Sequence, residues 1–284
     1  MPRLWKISDL LSWTTNYFNQ KGIDSPRLEA EVLLARVLSR DRVYLYANFD
    51  QPVGSVERER FREFIQRRLA GEPSAYIVGY KEFMSLNFKV NSSVLIPRPD
   101  TEVLVESVVE VAPQSKGIKI CDVGTGAGTI AVSLAYYLPN AIIYATDISK
   151  EALAIAKENA LNNGVEVNFS QGDLLRPVQE AGEFEIITAN LPYIAAEEYE
   201  GLDIEVRDFE PKMALLAEGD GLDLYRQLIP AALNLLSDGG FLFFEISSGQ
   251  GKSALELAKE YFAEAELRQD YAGRDRLIKA RKGQ

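Results

Sequence analysis

The chain has no histidine and one cysteine, and these two absences narrow its chemistry before any motif is read. Without histidine, the commonest general base and the commonest metal ligand are missing. Cys121 alone cannot make up a zinc site, so no metal is expected. One cysteine also excludes an intramolecular disulfide, and Cys121 falls inside an apolar strand-like run where it reads as inert packing. Long hydrophobic runs are absent too. No stretch approaches the ~20 apolar residues of a bilayer span, and the N-terminus has no apolar core flanked by basic residues. No membrane association is expected, and a reducing cytoplasmic compartment is. Positive charge is in deficit, with 31 Lys and Arg against 42 Asp and Glu for a net −11. That balance speaks against a large nucleic-acid interface, and no direct nucleic-acid binding is expected. What is present, 46% apolar and 26% charged residues over 284 positions, describes a globular protein of one large domain or two ordinary ones.

Residues 1–80 read as a small helical bundle. Ser8 is placed to cap a helix carrying Leu10, Trp13 and Tyr17 at helical spacing. Ser25-Pro26 is a cap followed by proline at the first helical position, with Leu28, Val32 and Ala35 along one face. A further helix over 55–70 carries Phe61, Phe64, Ile65 and Leu69 and closes at Gly71. The charged residues of this region read as a solvated face. Over 81–97 the character changes to short strands (Phe83, Leu86, Phe88, Val90, then 94–96), a β-hairpin linker with its turn near Asn91-Ser92. Pro97-Arg98-Pro99 is stiff, and Asp100 or Thr101 can cap a helix beginning near Glu102.

From Gly117 onward strands and helices alternate: strands over 118–123, 141–146, 165–169, 184–189 and 241–246, with helices between them and a further alternation in the tail. This predicts an α/β domain over 98–284 with a mostly parallel sheet, helices on both faces, preceded by the helical bundle.

Two motifs carry the chemistry. Asp122-Val123-Gly124-Thr125-Gly126-Ala127-Gly128 is a glycine-rich turn from strand into helix, where backbone N–H groups can approach a ligand. A dinucleotide fingerprint needs its third glycine one position later, where Thr129 stands. The looser Gly-x-Gly-x-Gly pattern favours a methyltransferase, against the alternative of a purely structural turn. Asp147 ends the second strand, where a carboxylate can accept both hydroxyls of a ribose; helix capping is a compatible alternative. Asp173 ends the third strand region, placed either for an adenine amino group or as a turn residue, and Leu174 beside it can pack on the base.

The second motif, Asn190-Leu191-Pro192-Tyr193, follows the apolar run 184–189. The Asn190 oxygen and the Leu191 carbonyl can accept the two hydrogens of a planar –NH₂, and the Tyr193 ring can cover its face. The two motifs together point to transfer of a methyl group from a nucleoside cofactor to an amide or amino nitrogen. Such a reaction needs mainly orientation, so the lack of histidine does not count against it.

With these motifs placed, the chain resembles the release-factor glutamine methyltransferases, the HemK/PrmC family, over nearly its whole length. The resemblance is carried by Ser25-Pro26-Arg27-Leu28-Glu29-Ala30-Glu31, Gly71-Glu72-Pro73, Leu95-Ile96-Pro97-Arg98-Pro99-Asp100-Thr101-Glu102 and residues 122–128. It continues through 190–194, Phe209-Glu210-Pro211, Gly219-Asp220-Gly221-Leu222 and Ala272-Gly273-Arg274-Asp275-Arg276. It implies a helical substrate-docking domain joined by a hairpin to a Rossmann-like domain with a mostly parallel seven-stranded sheet, and S-adenosylmethionine as methyl donor. It also implies, as substrate, the glutamine of the Gly-Gly-Gln loop of class-1 peptide release factors. By position, Gly124, Thr125, Gly126, Ala127, Gly128, Asp147, Asp173, Leu174 and Asn190 would hold the cofactor; Asn190, Leu191, Pro192 and Tyr193 would grip the glutamine. Arg98 and Glu102 would order the cofactor pocket. Two departures stand out: Leu191 replaces a usual proline, and Glu245-Ile246-Ser247-Ser248 stands where the family tends to glycine just after the last-strand glutamate. Asn-Leu-Pro-Tyr also looks like the acceptor motif of ribosomal RNA adenine methyltransferases, where the tyrosine would stack on a flipped base. A degenerate fold serving as a binding module is a third reading, and it would predict loss of Asp147 or Asn190, both of which are present.

Overall fold

The computed structural model describes residues 4–113, 115 and 117–283, which form two compact units. One holds the residues up to Gly79 together with Asp203–Phe209; the other runs from Tyr80 to Leu202 and resumes at Glu210. Among the described residues no helix is long and apolar enough to cross a membrane.

The first unit is helical: α1 (Ile7–Gln20), α2 (Pro26–Leu38), α3 (Arg42–Ala47), α4 (Ser55–Leu69) and α5 (Ser74–Val78), with the short helix Ile204–Phe209. Its core is built on Ile7, Leu11, Phe18, Leu33, Leu34 and Phe61. Two expectations are corrected. Helix α1 starts one residue before Ser8, with Lys6 as its cap and the Asp9 carboxylate accepting from the Lys6 backbone N–H at 3.1 Å. Its inward stripe is Ile7, Leu10, Leu11, Thr14 and Phe18, with Tyr17 partly buried against it; of the three expected residues only Trp13 turns out, half exposed. Trp13 satisfies the helical period but lies at the edge of the stripe that the core takes. In α2, Pro26 opens the helix as expected. Ser25, however, is left-handed (φ 47°) and makes no side-chain cap bond, and Leu28 points outward while Ala30, Leu33 and Leu34 point in.

The charges of this unit are not all solvated. Glu31 is buried and accepts from Arg27 Nε at 2.5 Å, Arg42 Nη2 at 2.9 Å and the Tyr46 hydroxyl at 2.5 Å. Arg68, also buried, pairs with Glu29 at 2.6 Å and with Glu205 of the returning segment. Isolated charges at such positions would be strongly unfavourable; these are tolerated because each meets partners of opposite sign.

The second unit begins with a hairpin, β1 (Tyr80–Phe83) and β2 (Leu86–Lys89). Its turn is Met84-Ser85, not Asn91-Ser92: Phe83 pairs with Leu86, and Met84 and Ser85 have φ of 48° and 57°. That is the two-residue turn with both centres left-handed that matches strand twist. Nothing but tertiary support makes it tolerable for two side-chain-bearing residues. The Glu102 carboxylate accepts from Met84 N at 2.7 Å, and the Tyr137 hydroxyl donates to Met84 O at 2.8 Å. Residues 94–96 form no strand.

The main sheet has seven strands in the order β5-β4-β3-β6-β7-β9-β8. These are β3 (Lys119–Val123), β4 (Ile142–Asp147), β5 (Asn168–Gln171), β6 (Phe184–Ala189), β7 (Leu236–Glu245), β8 (Glu264–Gln269) and β9 (Asp275–Arg281). The five strands β5 to β7 pair in parallel, and β9 inserts antiparallel between β7 and β8. Helices α6 (Glu102–Val111), α7 (Thr129–Tyr137) and α8 (Lys150–Asn162) pack with β3 and β4 through Leu104, Val108, Ile130, Leu134 and Ala160. The helices Asp223–Leu235 and Gly251–Lys259 pack with β6 and β7 through Tyr225, Leu228 and Ala254. Buried Asn159 on α8 bridges hairpin and sheet: its Oδ1 accepts from Lys89 N at 2.7 Å, and its Nδ2 donates to Lys89 O and Ala127 O.

Burial by itself would raise the Glu31 carboxyl, but hydrogen bonds from Tyr46, Arg42 and Arg27 outweigh it and hold it below the usual 4.5. A depressed folded value means the contribution is complete above the unfolded value and is lost as pH falls through the folded one. Replacing Glu31 by Gln is therefore expected to cost about 1.5–3 kcal/mol at neutral pH. The gap to wild type should close in acid. Chemical denaturation at pH 7 and below pH 4 checks this, and a gap that does not shrink would remove the charge from the explanation.

Candidate active site

The site is built by strand register. Val123 at the end of β3 pairs with Thr146 on β4 and with Ala189 on β6, and Ala189 pairs with Phe244 on β7. The next residues, Gly124, Asp147, Asn190 and Glu245, are therefore level at the carboxyl edge of the sheet. Strand order reverses between β3 and β6, the place where open α/β sheets leave a crevice. A cavity of about 740 Å³ opens there. Of the residues singled out from the sequence, Arg98, Gly124, Thr125, Gly126, Ala127, Asp147, Asp173, Leu174, Asn190, Leu191 and Pro192 line it. Gly128, Tyr193 and Glu102 are not among the lining residues. Glu102 instead serves the hairpin turn.

Gly124, Gly126 and Gly128 all have left-handed backbones, φ 71°, 54° and 79°. The three have different neighbours. A side-chain carbon on Gly128 would lie 3.0 Å from the Ala156 methyl and 3.2 Å from its Cα, so this glycine lets α7 and α8 approach. A carbon on Gly126 would meet nothing within 4 Å. That is open space above the loop, as a ligand lying against the backbone requires. Gly126 N–H donates to Asp147 Oδ2 at 2.8 Å, and Ser149 N–H donates to Oδ1 at 2.8 Å. Asp147 thus braces the glycine loop, while Ser149 does the capping of α8 by accepting from Ala152 N at 3.1 Å. Burial raises the Asp147 carboxyl, and the Ser149, Gly126 and Ile148 N–H groups offset part of the shift.

Beneath the loop, fully buried Asp122 accepts from the hydroxyls of Thr125 at 2.6 Å and Thr188 at 2.9 Å. Burial pushes it up to about 7, and the two hydroxyls pull the other way. Leu174 is held at φ 47° with its carbonyl accepting from the Thr146 hydroxyl at 2.8 Å, which fixes it as a wall of the cavity.

In the second motif, Asn190 Nδ2 donates to the Thr101 hydroxyl oxygen at 3.3 Å, which leaves Oδ1 as the acceptor. Leu191 N–H donates to the Tyr225 hydroxyl at 3.1 Å, and that hydroxyl donates to the Glu245 carbonyl at 2.5 Å. A proline at 191 has no N–H to give, so the departure from proline is matched by a hydrogen bond that only a non-proline can form. The Tyr193 hydroxyl donates to Glu245 Oε1 at 3.2 Å, and the Tyr193 carbonyl accepts from Gln250 Nε2 at 3.0 Å. Gly221 must be glycine because a side-chain carbon there would fall 2.2 Å from the Tyr193 carbonyl oxygen. Ser247 is not at a left-handed position, so its backbone does not require glycine; its N–H donates to Gln250 Oε1 at 3.0 Å.

Residues quoted in the family motifs without a role of their own, together with Glu245, supply the support. Glu210, buried, accepts from Ile96 N at 3.1 Å and pairs with Arg98. Arg276 reaches Asp100 at 3.1 Å and Asp270 at 3.2 Å. Glu245, 2% exposed, is pushed up to about 7 by burial. A glutamate at the end of an otherwise apolar strand was the available signal for the last of these.

A mostly parallel sheet with helices on both faces, a glycine loop braced by a strand-end carboxylate, and an Asn190-Leu191-Pro192 edge on the same cavity define a methyltransferase. Comparison with known proteins agrees. Family models match for a "PrmC N-terminal domain" over residues 9–79 and a "Methyltransferase small domain" over 99–207. The release factor glutamine methyltransferase of Geobacter sulfurreducens is 41% identical over 99% of both chains. That of Moorella thermoacetica is 46% identical over 91% of this chain and 92% of its own. Among solved structures, a methyltransferase from Pyrococcus furiosus shares the fold with a TM-score of 0.53, at 18% identity over 77% of this chain and 98% of that one. The chain belongs to the release factor glutamine methyltransferase family.

The glycines can be separated by experiment. Gly128→Ala combines a left-handed φ with a backbone clash and is expected to destabilise by about 2–4 kcal/mol. Gly126→Ala meets no neighbour, so only the backbone cost of about 1–2 kcal/mol applies. Thermal unfolding of both variants checks the order; equal losses would mean the Ala156 contact does not constrain the loop.

Proposed function

We propose that the enzyme transfers a methyl group from S-adenosylmethionine to the side-chain amide nitrogen of the glutamine in the Gly-Gly-Gln motif of class-1 peptide release factors. The observation that carries this reading is the anchored Asn190: its amide nitrogen is taken by Thr101, so its oxygen is left to accept from a substrate N–H. It does so in the same cavity as the glycine loop.

The cavity suits the cofactor. Gly124, Thr125, Gly126 and Ala127 present backbone with open space at Gly126, Asp147 and Asp173 supply carboxylates, and Leu174 supplies an apolar wall. When bound, S-adenosylmethionine supplies a methyl group already activated on a positive sulfur. The chain's own residues then have to hold the nitrogen. An amide lone pair is delocalised into its carbonyl, so the nitrogen is a poor nucleophile until its N–H groups are drawn into hydrogen bonds. Asn190 Oδ1 and the Leu191 carbonyl accept hydrogen bonds from these N–H groups and fix the nitrogen in place, one of its two protons passing to solvent when the methyl group is gained; orientation of this kind can be worth ~7–11 kcal/mol. Leu191 and Pro192 form the wall beside it. Tyr193 braces the loop from behind through Glu245. The helical first unit serves as the docking surface for the release factor, and the cytoplasm is where such a substrate is met.

Radiolabel transfer to an intact class-1 release factor, to the same factor with its Gly-Gly-Gln glutamine replaced, and to undermodified ribosomal RNA tests the reading. Label on the intact factor alone is expected; label on RNA alone would make the acceptor a base. Asn190→Ala is expected to lower turnover on the order of 100-fold or more while cofactor affinity holds. Asp147→Ala should instead weaken cofactor binding, as read by calorimetry. Equal loss of cofactor affinity in both variants would refute the separate assignments.

A further inference from the structure

A loop that holds an amide nitrogen beside a methyl donor must itself be held, and in this chain part of that hold comes from a residue outside the cavity. We propose that Tyr225 is a positioning residue for methyl transfer: its hydroxyl fixes the Leu191 N–H and through it sets the acceptor edge against the glycine loop. The assignment of a substrate amide to that edge rests on the function proposed above; the contacts of Tyr225 do not.

Tyr225 lies in the first turn of the helix Asp223–Leu235, is fully buried, and rests its ring on Phe244 of β7 with centroids 4.7 Å apart. It is not among the residues lining the cavity. Its hydroxyl has one proton, which goes to the Glu245 backbone carbonyl at 2.5 Å, since a carbonyl can only accept. The oxygen is then left to accept, and it takes the Leu191 N–H at 3.1 Å. Both partners are backbone groups, so neither titrates nor reverses its role. Burial raises the phenol well above its usual range and keeps the hydroxyl protonated. The polarity of the link is therefore fixed.

The peptide joining Asn190 to Leu191 is planar, so holding the Leu191 N–H holds that whole unit. The Asn190 side chain branches from one end of it and the Leu191 carbonyl follows from the other; these are the two acceptors of the edge. Leu191 also meets the donor side of the cavity. A side-chain carbon on Gly124 would fall 2.6 Å from Leu191 Cδ2, so the Leu191 side chain lies directly over that glycine. One residue thus abuts the glycine loop through its side chain and is tied to the end of β7 through its N–H. Without the Tyr225 hydroxyl the Leu191 N–H would be buried with no partner, and the peptide would turn to find one. With proline at 191 there is no N–H to satisfy and the ring fixes φ, so the hydroxyl would have nothing to position.

Tyr225→Phe keeps the ring and removes only the hydroxyl. It is expected to lower kcat toward a class-1 release factor on the order of 10–100-fold, with cofactor affinity unchanged by calorimetry. Unchanged kcat would overturn the proposal. The same change made in Leu191→Pro separates positioning from stability. The Glu245 carbonyl loses its partner in both backgrounds, so thermal stability should fall in both, whereas kcat should fall only where residue 191 carries an N–H. An equal fold loss of kcat in both would overturn the proposal. Amide hydrogen exchange gives a readout independent of turnover, and it decides the matter where Leu191→Pro is itself inactive. In Tyr225→Phe the Leu191 amide should speed up about tenfold or more beyond the amides of Ile187 and Phe243. Equal acceleration of all three would mark general loosening and sink the idea. If the Leu191 amide alone is released but wild type labels no release factor, the proposed function falls and the Tyr225–Leu191 tie stands.

Discussion

The register of the parallel strands is the constraint on which the rest of the site depends. Because Val123, Thr146, Ala189 and Phe244 are brought level, the chain places a glycine, an aspartate, an asparagine and a glutamate in one row at the carboxyl edge. A slip of one residue in any pair would turn every side chain of that strand to the opposite face. The residues that hold this register, Ile120, Cys121, Ile186, Ile187, Phe243 and Phe244, are all sealed from solvent. Core packing thus determines where the functional groups stand, and core residues such as Val123 and Leu191 also line the cavity.

Segments far apart in the sequence then close around this edge through buried polar groups. Arg98 and Ile96 N meet Glu210; Arg276 meets Asp100 and Asp270; Gln250 joins the Tyr193 and Asp220 carbonyls. A buried charge or amide without partners is expensive, whereas a matched set is tolerable and geometrically demanding. Each of these contacts therefore fixes one loop relative to another more than it adds stability. The Pro-Arg-Pro-Asp-Thr run illustrates the economy. Arg98 lines the cavity, Asp100 receives Arg276, and Thr101 receives Asn190. One stiff segment orders three parts of the site.

Much of this was legible in the sequence, and the failures have physical causes. Strands buried on both faces, such as Phe184–Ala189, read directly as apolar runs, and the Ser149 cap and the helix after it were found from their local signals. The hairpin turn at Met84-Ser85 was missed because its left-handed residues are not glycine or asparagine; support from Glu102 and Tyr137 substitutes for intrinsic preference. On α1, Leu10 was placed correctly but Trp13 was not, because a residue at the edge of the stripe satisfies the same period. Burial of Glu31 and Arg68 was invisible since their partners are set by packing, Glu205 lying far along the chain from Arg68. At the site, the glycine loop, Asp147 and Asn190 announced themselves by type and spacing. Glu245 and Tyr225 did not, because they act from behind the loop and carry no motif of their own.

Leu191 shows how the loop can be rigid without the second proline. A ring at that position would fix φ but would remove the N–H that Tyr225 accepts here. Tyr225 in turn is tied to the Glu245 carbonyl, and the Glu245 carboxyl holds the Tyr193 hydroxyl. The tetrapeptide is therefore gripped at Asn190 by Thr101, at Leu191 by Tyr225, and at Tyr193 by both Glu245 and Gln250. Rigidity supplied by a ring is local, whereas rigidity supplied by hydrogen bonds couples the loop to whatever holds the partners. In this chain two of those four contacts lead back to Glu245, one through Tyr225 to its backbone carbonyl and one directly to its carboxyl. The acceptor loop is thereby tied to one buried residue at two points, its backbone carbonyl and its carboxyl.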